Sequence, residues 1–126
     1  MNFPVDLKYT QEHEWIKMEG DLAVVGITDF AQGELGDIVF VEVESIGKNI
    51  AKDGVFGTVE AVKTVSDLFL PISGEVIEFN TSLNNNPELI NTDPYGNGWV
   101  IKMKPSDLGD ISHLMDVETY KSFIAH

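Results

Sequence analysis

The stretch Gly57-Thr58-Val59-Glu60-Ala61-Val62-Lys63-Thr64-Val65-Ser66-Asp67-Leu68-Phe69-Leu70-Pro71 decides how this chain folds. Its Val, Thr and Phe residues fit a pleated, half-buried surface, so both flanks are strands. The apolar phase slips inside it: Val55, Val59 and Ala61 fall on odd positions, Leu68, Leu70 and Ile72 on even ones. A slip of one residue exchanges the buried face, which predicts a turn or bulge between about 61 and 66 rather than one continuous strand. Lys63 then stands at the tip of a hairpin. No Gly, Asn or Pro lies between 58 and 66, so turn chemistry alone does not place the tip. A lysine there has two readings. One is a surface residue whose stem covers apolar neighbours. The other is an attachment point, a primary amine on a flexible stem offered from a rigid corner.

The rest of the chain continues the β pattern. Residues 13–18 and 22–27, split by Glu19-Gly20-Asp21, form a second hairpin. Thr28 is placed to cap a short helix over 29–35, with Asp29 in its first turn and Gly36 as its stop. Asp37 to Glu44 alternates, with Val39, Val41 and Val43 on one face, as in a strand buried on one side. Ile46-Gly47 and Asp53-Gly54 mark turns. Gly36-Asp37-Ile38-Val39-Phe40-Val41 is weakly echoed by Gly74-Glu75-Val76-Ile77-Glu78-Phe79, which suits a sandwich of two interleaved small sheets. Asn84-Asn85-Asn86-Pro87 is a loop that leads into a one-turn helix with proline at its first position. The turn-rich segment 93–98 feeds a strand over Trp99–Met103. After Pro105 the period becomes helical, with Ser106 and Asp116 as N-caps and Val117, Tyr120 and Ile124 on one face. That last helix is expected to close over the sandwich. No Pro-, Gly- or Ser-rich linker divides the chain, so residues 1–126 are expected to form one domain, with a core over about 7–104 and a C-terminal helical segment over about 106–125.

Composition narrows the function. The 126 residues suffice for a real core. They carry 21 acids against eight lysines and no arginine, a net charge of −13. Nucleic acid and anionic membrane both require basic patches, so neither is expected as a partner. Without cysteine there is no disulfide, thiolate metal site or cysteine nucleophile, and any redox sulfur must arrive on a cofactor. The N-terminus lacks the basic and apolar regions of a targeting peptide, and the chain is expected to be soluble and cytoplasmic. His13, His113 and His126 have no metal-ligand spacing, the glycines sit singly at turns, and no serine lies in a nucleophile elbow. Trp15, Trp99 and Tyr95 are better suited to packing than to lining a pocket. The chain has the character of a carrier with borrowed chemistry, not of an enzyme.

Glu60-Ala61-Val62-Lys63, then Ser66-Asp67, then Pro71-Ile72-Ser73-Gly74-Glu75-Val76, resembles the lipoyl-attachment segment of the glycine cleavage system H protein family. Biotin carriers flank their lysine with methionines, where this chain has Val62 and Thr64, and lipoyl domains of 2-oxoacid dehydrogenases usually place Asp before it. The likeness extends through Leu7-Lys8-Tyr9-Thr10, His13-Glu14-Trp15, Val25-Gly26-Ile27-Thr28-Asp29, Leu35-Gly36-Asp37-Ile38-Val39-Phe40-Val41, Pro94-Tyr95-Gly96 and Ile101-Lys102-Met103-Lys104-Pro105.

The resemblance implies a mostly β, lipoyl-domain-like barrel-sandwich hybrid of two small sheets with short helices and a C-terminal helix. It also implies that Lys63 carries lipoic acid in amide linkage. The arm of such a carrier takes an aminomethyl group from glycine decarboxylase, a pyridoxal-phosphate enzyme. Aminomethyltransferase passes the carbon to tetrahydrofolate, and dihydrolipoamide dehydrogenase reoxidises the dithiol. An aminomethyl sulfide hydrolyses in water, so the arm needs shelter, and its ammonium needs carboxylate or hydroxyl partners. By resemblance Glu14 and Asp67 belong to that sheltering cleft, and Glu60 is a recognition feature for the lipoate-attaching enzyme. Glu12 and Glu34 depart from the family, whose first position is often Ser or Thr. Two other roles are compatible with these residues: a donor relaying lipoate to other lipoyl domains, and a non-lipoylated interaction module.

Overall fold

A computed structural model describes residues 1–125; His126 lies outside the described residues. The fold is mostly β and is built from two antiparallel sheets. One has six strands in the order β1 (Lys8–Tyr9), β2 (Glu14–Glu19), β3 (Leu22–Ile27), β9 (Ile101–Pro105), β8 (Gly74–Phe79) and β5 (Asn49–Ile50). The other is β4 (Ile38–Glu42), β6 (Val55–Ala61) and β7 (Val65–Phe69). This is the mostly β pair of sheets with short helices that the sequence leads one to expect, one sheet having twice as many strands as the other. The two echoed segments fall in β4 and β8, one in each sheet.

Between the sheets lies a core that includes Val25, Ile27, Val41, Val59, Leu68, Leu70, Ile72, Val76, Ile101 and Met103. A second cluster, of Leu7, Tyr9, Trp15, Val24, Val117 and Tyr120, lies under the C-terminal helix α4 (Val117–Ile124). Tyr120 stacks on Tyr9 with ring centres 4.7 Å apart and planes 9° apart. Asp116 caps α4 through the Thr119 amide at 2.8 Å, as its sequence position predicts. Ser106 does not cap the preceding 3₁₀ turn, Leu108–His113. Asp107 does, because its carboxylate reaches the Gly109 amide at 2.9 Å. Similarly, Asn84 and Asn85 are not loop but the end of α2 (Ser82–Asn85), and Pro87 precedes the N-cap of α3 (Leu89–Thr92) instead of opening that helix.

Two irregularities overturn expected strand faces. The β4–β6 register shifts between Ile38 and Phe40, so Ile38 and Val41 are buried while Val39 is exposed. The β6–β7 register shifts between Val55 and Gly57, so Phe56 turns inward and Val55 outward. An extra residue in one strand flips the parity of everything beyond it.

Gly26 sits opposite Trp15 across β2 and β3, and the buried indole lies flat against it. A Cβ at Gly26 would come within 2.7 Å of three indole atoms. The ring cannot retreat, since its Nε1 donates to the Pro94 carbonyl at 3.1 Å. Gly26→Ala is therefore expected to lower stability by about 1–3 kcal/mol, read as a reduced urea midpoint with an unchanged m-value.

Candidate functional site

β6 and β7 pair through Glu60 opposite Val65, and the Ala61 amide closes the turn on the Thr64 carbonyl at 2.8 Å. Lys63 thus stands on a three-residue tip, between strands whose inner residues Val59, Ala61 and Leu68 are buried. Its side chain is exposed. The tip forms here because the Val59/Leu68 phase change has to be absorbed somewhere, and a short link between two buried-face strands absorbs it.

Glu60 is exposed on the outer face of the small sheet, in a row with Phe40 on one side and Val65 on the other. It does not reach the interior. Asp67, two residues beyond Val65 on β7, is also exposed but lies at the rim of a cleft of about 360 Å³. β7 forms one wall of the cleft through Ser66, Asp67 and Leu68, and helix α1 (Asp29–Leu35) forms the other through Phe30, Ala31, Glu34 and Leu35. Thr28 positions that helix by accepting the Ala31 amide at 3.1 Å, and Gly36 ends it with φ +83°. Glu12, His13 and Glu14 complete the cleft.

Glu14 is the unusual member. It is only 2% exposed, yet it carries a carboxyl group. Thr10 Oγ1 donates to Glu14 Oε1 at 2.9 Å and itself accepts the Glu14 amide at 3.0 Å. The Phe69 amide of β7 donates to Glu14 Oε2 at 3.3 Å, so this one side chain links the large sheet to the small one. Burial pushes its pKa up to about 8, against the opposing pull of the Thr10 and Phe69 hydrogen bonds. Burial thus favours the protonated carboxyl, and a cation placed beside it would favour the ionised one.

Glu14 and Asp67 therefore share one cleft with β7, which leads directly from Lys63, whereas Glu60 faces away from it. Sequence reasoning missed a partner of Glu14 and a wall residue of the cleft, Thr10 and His13. Thr10 supplies the hydroxyl partner of Glu14, while Glu12, at the position where a family hydroxyl is common, lies exposed at the cleft mouth. The Thr10-x-x-x-Glu14 spacing carries the signal, because a tight turn folds the two together: the Thr10 amide donates to the Glu14 carbonyl at 3.0 Å. His13 was assigned no role, and it lines the cleft from a backbone conformation of φ +70°.

The cleft suits a lipoyl arm. Ile27, Ala31, Leu35, Val59 and Leu68 give it apolar walls, and Glu14 and Asp67 give it a polar end. Ser66 and Leu68 lie one and three residues into β7, Leu68 roughly 10 Å along the strand from Val65, within the span of a lysine bearing a long acyl chain.

Comparison with known proteins shows the family and the fold. Residues 7–126 match the family model described as "Glycine cleavage H-protein". The chain is 59% identical to a glycine cleavage system H protein of Bacteroides fragilis, over 98% of each chain. It is 52% identical to one of Symbiobacterium thermophilum, over 97% of this chain and 95% of that one. A crystal structure of a glycine cleavage system H protein from Mycobacterium marinum superposes with a TM-score of 0.89 at 38% identity, covering 98% of this chain and all of that one.

Proposed function

Because this chain belongs to the glycine cleavage H-protein family, we propose that it is the lipoyl-bearing carrier of the glycine cleavage system, with Lys63 as its attachment site. The observation that carries the reading is the pairing of an exposed lysine on a closed hairpin tip with a sheltered cleft that opens along the next strand and contains a buried carboxyl group. When bound, the lipoyl group supplies a dithiolane that accepts an aminomethyl group and electrons. The chain's own residues orient and shelter it. The hairpin fixes where the amine stands, Leu68, Val59 and Leu35 exclude water from the cleft, and Glu14 and Asp67 provide carboxyl oxygens for an ammonium.

On this reading the partners are glycine decarboxylase, aminomethyltransferase and dihydrolipoamide dehydrogenase, each visited in turn by a single carrier domain. A lipoate-attaching enzyme reads the hairpin face, with Glu60 beside Phe40 and Val65 as its landmark. The net charge of −13 favours steering toward basic surfaces on those partners. No helix among the described residues is long and apolar enough to cross a membrane.

The test is the intact mass of the chain after incubation with lipoate, ATP and a lipoate-attaching enzyme. One lipoyl adduct, mapped to the peptide containing Lys63, is expected. A chain that remains unmodified, or is modified elsewhere, refutes the assignment.

A further inference from the structure

The N-cap of α1, the turn before β2 and the C-terminal helix meet in one chain of hydrogen bonds. The Ala31 amide donates to Thr28 Oγ1 at 3.1 Å, Thr28 Oγ1 lies 2.8 Å from the Tyr120 hydroxyl, and that hydroxyl lies 2.9 Å from His13 Nδ1. Thr28 and Tyr120 are both fully buried, so each hydroxyl hydrogen needs an acceptor within this chain. Only one direction provides both: Thr28 donates to Tyr120, and Tyr120 donates to His13 Nδ1. The reverse direction gives the Thr28 oxygen two donors and leaves its own hydrogen with none. With Nδ1 accepting, a neutral His13 carries its proton on Nε2.

The backbone holds the ring in place. His13 has φ +70°, a conformation that residues other than glycine rarely adopt. The His13 amide donates to the Thr10 carbonyl at 3.1 Å, and the His13 carbonyl accepts the Thr28 amide at 3.0 Å, so the turn is tied at both ends. The ring packs 4.9 Å from Phe30 and 6.0 Å from Phe123, with one side on the cleft. With Nδ1 tied back to α4, Nε2 is the polar atom the ring has left for a ligand.

We propose that His13 is a further residue of the arm's cleft, offering an Nε2–H donor to a sulfur acceptor at the end of the bound arm, and that Tyr120 is the positioning residue that fixes this tautomer. The proposal rests on the cleft being the arm's site. An N–H donor suits a thiolate or disulfide sulfur, whereas an ammonium suits the carboxyl groups of Glu14 and Asp67, so donor and acceptors in one cleft divide the polar work. The groups facing His13 are Glu12 beside it in the chain, Glu34 from α1, Glu14 from β2 and the Tyr120 phenol from α4. Burial holds the imidazole below its ordinary pKa, although Glu12 and Glu34 pull the other way. Protonating Nδ1 would also reverse the hydrogen-bond chain and orphan the Thr28 hydrogen, which opposes the charged form for a second reason.

The ¹⁵N resonances of His13 in the unlipoylated full chain at neutral pH test the tautomer without any arm present. Nδ1 is expected at the unprotonated position and Nε2 at the protonated one. In Tyr120→Phe, which keeps the ring stack on Tyr9, Nδ1 is expected to move upfield as the second tautomer becomes populated. A wild-type ring protonated on Nδ1, or a Tyr120→Phe spectrum identical to wild type, overturns the positioning role. The lipoylated, reduced chain then tests the donor: the Nε2–H resonance should shift on reduction. An unmoved resonance in a chain whose mass shows the adduct removes His13 from the cleft's work and leaves the carrier assignment standing. A mass without the adduct removes the carrier assignment instead.

Discussion

Replacing Lys63 by arginine is expected to reduce glycine-dependent carbon transfer to the level seen without the chain, while changing stability by no more than about 0.5 kcal/mol. The two halves of this result come from different parts of the structure. Lipoylation needs a nucleophilic amine that forms an amide bond. A guanidinium stays protonated at any working pH and keeps the length and charge of the original side chain without that chemistry. The fold does not need the lysine, because its side chain is exposed and the tip is closed by backbone, Ala61 to Thr64, between strands anchored by Val59 and Leu68. The assay is decarboxylation and carbon transfer with purified partners, beside a thermal melt. An arginine variant that still supports turnover would sink the carrier reading, and one that unfolds would show that the tip has a structural role the geometry does not display.

The same hairpin shows what the sequence can and cannot reveal. The change in apolar parity between Val59/Ala61 and Leu68/Leu70 is visible in the letters alone, and it forces a reversal near Lys63 even without turn residues. Parity misled where a bulge intervened. Val39 and Val55 alternate correctly with their neighbours on paper, but the shifts at Ile38/Phe40 and Val55/Gly57 turn both outward. Nothing in a single strand's letters marks a bulge, because it depends on the partner's register. The size of the larger sheet was hidden for a related reason. β1 and β5 are two residues long, too short for any period, and β9 joins β3 to β8 by contacts between distant segments. For the site, Glu14 and Asp67 were singled out by resemblance and line one cleft, but the burial of Glu14 left no mark in the sequence. A glutamate at the start of an amphipathic hairpin is normally solvated, and only the closure of β7 over it, through the Phe69 amide, takes it out of water. The Tyr120–His13 contact spans 107 residues and leaves no local trace.

Glu14→Gln is expected to make the chain more stable than wild type at pH 9 and nearly equal to it at pH 4. Burial raises the Glu14 carboxyl from 4.5 to about 8. A carboxyl whose pKa is raised by folding holds its proton more tightly in the folded chain. Across the window from 4.5 to 8 the folded state therefore binds more protons than the unfolded one, and stability falls as pH rises. Below the window both states are protonated and the group is neutral in effect; above it the full cost of a buried charge is present. A shift of this size corresponds to roughly 3–6 kcal/mol, or about 10 °C or more in melting temperature for a chain of this length. Glutamine mimics the protonated acid: its carbonyl can accept from the Phe69 amide, and its NH₂ can donate to Thr10 Oγ1 once that hydroxyl turns its own hydrogen to the backbone carbonyl of Glu14, 3.5 Å away. The difference between the two melting curves, followed from pH 4 to 9, isolates Glu14 from the other acids. Parallel curves would show that the carboxyl is already ionised at neutral pH. On the proposed function the same proton would couple the cleft to its load: a cation entering beside Glu14 would draw it toward the charged form and release a proton, so a cationic arm is expected to dock more firmly as pH rises toward 8. In the glutamine variant that pH dependence should vanish and the loaded arm should be lost to hydrolysis faster; both outcomes together would make Glu14 a residue that costs the empty carrier stability in order to hold a cation.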